Sequence, residues 1–436
     1  MSAFRASIDA LVPASSPRLW LSLTGMLTGA LQVGCPTTSV APDAQSPVDT
    51  SVFADSPEPQ DAANGDAGPT YPIDYACTAP CGIHWRELAP FDVPIDHHTT
   101  FIIDRADGPY LYVLGGIDPD ASGSAPRAYN ERISAAKIAE DGTLGPWEHH
   151  AFRYGLAFHA QTQYLAVEPP TTTIVMWSGG IIHPSDDPDL SPGASQYTFM
   201  APFPMGSGPG LDDMFPGTGG NVATTEGTLS QPVLHGALHR RLRADGTRGD
   251  AFLIGGSAGS TLSNAARRYD DSEAWVNDAP LPGARSHHAA VEHDGHIYIL
   301  GGFSGTTAAP VGEPSILRST HDASAHITGW ETVGTLEDPP WTAAAFIREN
   351  FVYVVGGGVS GGHHGGGEFI DQVRRAPIMA DGSIGTFVEL NGHLPVARAH
   401  VHQTPVHGNF IYSVGGRIPE GSSVRAQNRI FVGTFD

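Results

Sequence analysis

LPGARSHHAAVEHDGHIYILGG, residues 281–302, holds two apolar runs joined by an acid-glycine turn and ends on a double glycine. The second run is rich in Ile, Leu and Tyr, a strand composition. The paired glycines mark a point where the chain turns and a side chain would not fit. The pattern occurs six times: YLYVLGG (Gly115-Gly116), TTIVMWSGG (Gly179-Gly180), AFLIGG (Gly255-Gly256), HIYILGG (Gly301-Gly302), FVYVVGG (Gly356-Gly357) and FIYSVGG (Gly415-Gly416). The first glycines lie 64, 76, 46, 55 and 59 residues apart. Recurrence at such a period is the signature of a repeat architecture.

Other elements keep step. Upstream comes a strand such as LPVARAHVHQTPVHG (394–408), and downstream one ending in an acid-glycine turn, as in SAAKIAEDGTLGPW (134–147) and RRAPIMADGSIGTF (374–387). An aromatic opens the fourth strand: Trp147, Trp275, Trp330 or Phe387. Four antiparallel strands per repeat, arranged radially, predict an all-β fold, a β-propeller. The last repeat stops after NRIFVGTFD (428–436), one strand short. His84-Trp85-Arg86-Glu87-Leu88 has the missing pattern, so the N-terminal strand is expected to complete the last blade and remove the open edge. The count predicts six blades in one domain over 77–436. The long second repeat leaves room for a seventh within 181–235.

The motif resembles the kelch repeat over about residues 84–436, with its Arg/His-bearing first strand, its I-Y-V-x-G-G second strand and its later tryptophan. Galactose oxidase is similar in its kelch propeller. Its copper site requires a tyrosine crosslinked to a cysteine, and this chain has no cysteine after Cys81. Resemblance to the sialic-acid mutarotases with kelch propellers implies an alternative, a carbohydrate isomerase in which Arg285 or Arg398 binds a carboxylate and a histidine moves the proton.

Composition agrees with many short strands. The 436 residues include 53 Gly and 36 Pro, yet 40% are hydrophobic, which excludes a helical bundle and wholesale disorder. Forty-six acids face 23 bases, a net charge of −23 that excludes a nucleic-acid or anionic-membrane surface.

Leu19 to Val33 is an uncharged apolar run preceded by Arg5 and Arg18. At about 22 Å as a helix it falls short of a membrane core and reads as the core of a signal peptide over 1–34. Gly34-Cys35 resembles the lipobox of bacterial lipoproteins, which implies acylation of Cys35. Gln32, however, stands where that box usually has leucine. Residues 35–76, rich in Pro, Ala, Ser and Asp, are expected to form a solvated tether. Together these predict an exported protein of the cell envelope, lipid-anchored or else secreted. Cys77 and Cys81 then read as a small disulfide loop.

Loops held by a rigid scaffold are the usual location for binding groups. The start of each first strand and the double glycine ending the second share one face, and the segments after the glycines lie there too. Histidines gather at the same place: His97/His98, His159, His235, His287/His288 and His400/His402, with Trp341-Thr342 in the fifth repeat. Arg285 and Arg398 stand two residues before His287 and His400. One reading makes His97, His159, His235, Arg285, His287, Arg398 and His400 a ligand-binding ring. The other has them bond neighbouring blades, as kelch repeats use this position. Neighbouring residues of a strand point to opposite sides, so one histidine of each adjacent pair at most can face the axis. His363-His364 and the cluster His183, Asp186, Asp187, Asp189 lack metal-site spacing and read as surface loops. The sequence therefore predicts a binding module for a protein or glycan, with no cofactor, no catalytic residue and a monomeric state.

Overall fold

The second strands carry the deepest burial, because blades pack on both of their faces. Leu111 to Leu114 and Val352 to Val355 are all at most 5% exposed, which is why these runs are continuously apolar rather than alternating. The structure, a computed structural model, describes residues 70–118, 128–151, 154–157, 160–165, 172–184, 193–204, 224–240, 250–269, 274–306, 309–359, 368–401, 403–420 and 423–436. All fall in one unit, Ala67–Asp436.

Among the described residues, five antiparallel sheets have four strands each and a sixth has five. From the axis outward, the first runs Thr99–Arg105, Gly108–Leu114, Arg132–Ile138 and Leu144–Ala151. The fourth runs Ala289–His293, His296–Leu300, Ser315–His321 and Ile327–Thr335. The 181–235 stretch supplies Tyr197–Pro204 and Thr224–Thr228, the third and fourth strands of the second sheet, and no seventh blade appears among the described residues.

Closure occurs as the sequence predicts. Ile83–Leu88 pairs with Ile430–Phe435 in register, Trp85 opposite Gly433. A short strand, Ile73–Asp74, adds a fifth row outside it. The sheet thus reaches past the expected boundary at residue 77. Tyr75 explains why, because its hydroxyl donates to Glu87 (2.7 Å), whose carboxylate also takes two bonds from Arg429. Burial would raise the Glu87 pKa, but those donors hold it below the usual carboxylate range. Cys77 and Cys81 form a disulfide. Tryptophans that open fourth strands tie neighbouring blades: the Trp85 indole donates to Gly392 O (3.1 Å), and the Trp330 indole to Ala279 O (3.0 Å).

All twelve glycines of the six pairs have positive φ. The second glycine of five of the pairs acts as a latch. The amides of Gly180, Gly256, Gly302, Gly357 and Gly416 donate to the carbonyls of Val233, Arg285, Pro340, Arg398 and Ile95, each on the next blade. The last of these joins blade six to blade one. A Cβ on Gly301 would stand 2.3 Å from the Pro340 carbonyl, whereas Gly408, at φ 56°, has nothing within 4 Å. Gly408→Ala is therefore expected to cost about 1 kcal/mol from backbone strain alone, and Gly301→Ala more than about 2 kcal/mol. Equal losses in denaturant titrations would show that the close approach of Gly301 to the Pro340 carbonyl contributes nothing.

Candidate functional site at the propeller axis

The residue two places after each latch carbonyl takes a left-handed backbone. His97 (φ 54°), His235 (52°), His287 (59°), Thr342 (53°) and His400 (61°) share this conformation, which is uncommon for residues with a side chain. Hydrogen bonds running from blade to blade hold it. His287 N–H donates to His235 O (3.2 Å), Thr342 N–H to His287 O (2.9 Å) and Val401 N–H to Thr342 O (3.2 Å). The twist aims the side chains at the axis, where the imidazoles meet. His97 and His400 cross at 4.0 Å between centroids, His97 and His235 at 5.4 Å, and His235 stacks on His287 at 3.7 Å.

Asp96 holds the centre. It is fully buried, and its carboxylate lies 2.8 Å from His97 Nδ1, 3.0 Å from His400 Nδ1 and against Arg417 Nε. His97 belongs to the first blade, while His400 and Arg417 belong to the last. The cluster is therefore the seam where the ring closes. Burial favours an uncharged Asp96, but the imidazoles bonded to it hold its pKa well below the usual value. Burial drives His97 well below 6.5 and lowers His400 as well. The resting state is an ionised Asp96 facing Arg417, with two neutral imidazoles beside it.

The second members of the two adjacent pairs, His98 and His288, make other contacts. His98 bonds the Val414 backbone, and burial pushes it down to about 4. His288 packs against Gly255, where a Cβ would meet its ring at 2.6 Å. Arg285 donates to Ser315 O (2.9 Å), to Ser315 Oγ (2.6 Å) and to Glu313 (3.3 Å). Arg398, fully buried, donates to Gly415 O (2.8 Å) and lies 4.4 Å over the Phe431 ring. The structure thus brings together His97, His235, His287 and His400, and it places Arg285 and Arg398 between strands and blades. His159, His402, His363, His364, Asp186, Asp187, Asp189 and Cys35 lie outside the described residues, as does the side chain of His183.

Below the ring an axial cavity of about 510 Å³ extends along the inner strands from His97 and His235 to Asp104 and His407, walled partly by Phe101 and Phe346. Among the described residues, no lysine or arginine lines it. Above the ring, on the double-glycine side, stand β-ribbons that the sequence reads as loops. They include Ile117–Asp118 with Ala128–Tyr129, Phe303–Gly305 with Pro310–Gly312, and Arg417–Glu420 with Ser423–Ala426. Each is rooted beside the ring by a bridge such as Asp96 to Ile117, Ser286 to Phe303 or Ala399 to Arg417. The sequence reading missed Asp96 and Arg417. The available signal was a charge at a position where the other described blades have Leu234, Ser286, Trp341 and Ala399.

A family profile described as the Kelch motif matches residues 284–314, which cover the fourth blade's first two strands and the ribbon after them. The solved structure of YjhT aligns with a TM-score of 0.52 at 13% identity, over 78% of this chain and 95% of its own. The chain is a kelch-repeat β-propeller. Human Kelch-like protein 34 is 26% identical to it over 232 residues, half of this chain and 29% of the human protein. The chain thus matches under a third of that relative's length. The likeness to YjhT concerns the fold alone.

Proposed function

We propose that this kelch propeller is an exported binding module that grips a protein or a glycan with its double-glycine face, held to the cell envelope through acylated Cys35. The ribbons carry this reading. They rise from separate blades on one face and differ in length and sequence, while the ring beneath them is interlocked by backbone bonds. Such a division between rigid scaffold and varied surface suits recognition. The isomerase alternative gains nothing from Arg285 or Arg398, whose guanidiniums are engaged by Ser315, Glu313, Gly415 and Phe431.

A glycan array and a pull-down from envelope extract, both with the whole chain, test the reading. Replacing the ribbon tip 306–309 by Gly-Ser is expected to weaken capture of the ligand found at least about tenfold with an unchanged melting temperature. A ligand whose capture survives tip replacement in every ribbon, and falls only when Phe101 or Phe346 is changed, would transfer function to the cavity. Mass spectrometry of the mature N-terminus tests the address, and an unmodified first residue other than Cys35 would refute the anchor.

A further inference from the structure

The metal-ligand chemistry at the blade-six seam goes beyond recognition by the ribbons. We propose that Asp96, His97 and His400 form a site for one divalent transition-metal ion of the zinc class on the propeller axis. The two Nδ1 atoms are 3.3 Å apart. On a tetrahedral zinc at about 2.0–2.1 Å, two nitrogens stand about 3.3–3.4 Å apart, so the pair is already spaced for a shared cation. Ligand atoms from Asp96, His97 and His400 lie within 4.8 Å of one another, and all three residues are buried.

Arg417 occupies the Oδ2 side of Asp96, and Oδ1 faces His400. The guanidinium thus orients the carboxylate in the manner of an outer-shell partner. His97 also lines the axial cavity, which provides a path for entry. A dication beside Arg417 and a single carboxylate leaves excess positive charge in a poorly solvated place, so the fourth ligand is an anion arriving from the cavity. Cys77, Cys81 and His84 also cluster, but a disulfide occupies both sulfurs.

The test uses cobalt(II) as probe on the whole chain carrying His363→Ala and His364→Ala, which removes the competing pair in the glycine-rich segment. The expected result is one cobalt per chain with the intense visible bands of four-coordination. His400→Asn is expected to weaken binding about a hundredfold with unchanged circular dichroism. Anomalous diffraction from cobalt-soaked crystals of the unaltered chain is expected to place the ion between His97 and His400, and it needs no variant to fold. No cobalt bound by the folded chain, equal affinity in the His400→Asn variant, or an anomalous peak elsewhere would overturn the site.

Discussion

Asp96→Ala is expected to destabilise the propeller by about 3–5 kcal/mol, lowering its melting temperature on the order of 5–10 °C. Asp96 is fully buried, and Arg417, its partner from the last blade, is 5% exposed. Removing the carboxylate leaves a guanidinium in the interior with nothing to balance it. It also removes the acceptor that both His97 and His400 face, at 2.8 and 3.0 Å. The loss falls on the seam, where ring closure depends on contacts between the first and last blades. Adding Arg417→Met to Asp96→Ala is expected to restore much of the stability, because an apolar side chain carries no desolvation cost. If Asp96→Ala costs under about 1 kcal/mol, as an exposed pair would, the seam is not held by this charge.

Acid should weaken the protein well before its carboxylates protonate. His98 titrates near 4 in the folded chain because burial disfavours its charged form, against 6.5 when free. The unfolded chain therefore binds the extra proton, so stability is full above pH 6.5 and declines as pH falls through that window toward 4. The shift corresponds to about 3 kcal/mol at the lower end. His97 and His400 shift in the same direction and add to the loss. Asp96, held low, adds its own contribution below its free value of 3.8. His393 runs oppositely. Its bond to Asp371 raises its pKa, so its contribution is present below 6.5 and is lost as pH rises through the raised value. That side chain is 37% exposed, and screening keeps its contribution small. Guanidinium titrations at pH 7.5 and 4.5 are expected to differ by several kcal/mol, and His98→Gln to recover roughly 2–3 kcal/mol of the difference. A flat profile between those pH values would refute the neutral, buried state of these imidazoles.

Much of the architecture was legible in the chain. The double glycines announced the second strands, and the tryptophans announced the fourth. The aromatic pattern at Trp85 pointed to the closing strand, because strand composition and tight turns are local properties that a short stretch of sequence carries. The ribbons were not legible. Strands of two to four residues within such short segments have too few positions to show a period of two. Ile73–Asp74 escaped for the same reason.

Half of the axial site was legible too. The recurrence of histidine before the first strand marked the ring, since that position repeats with the blades. Which histidine of a pair faces the axis depends on a left-handed backbone held by the neighbouring blade, and only the assembled ring supplies that. Arg285 and Arg398 look like ligand-binding groups in the sequence, yet tertiary packing sets them beside Ser315 and Phe431. Asp96 and His400 stand 304 positions apart in the chain and Asp96 and Arg417 stand 321 apart, with no motif linking either pair. The sequence by itself determined the repeat, the β architecture and the means of closure, because each blade is a local unit. Only the tertiary structure decided what meets at the seam, because closing the ring brings the first and last blades together and buries their charges against each other.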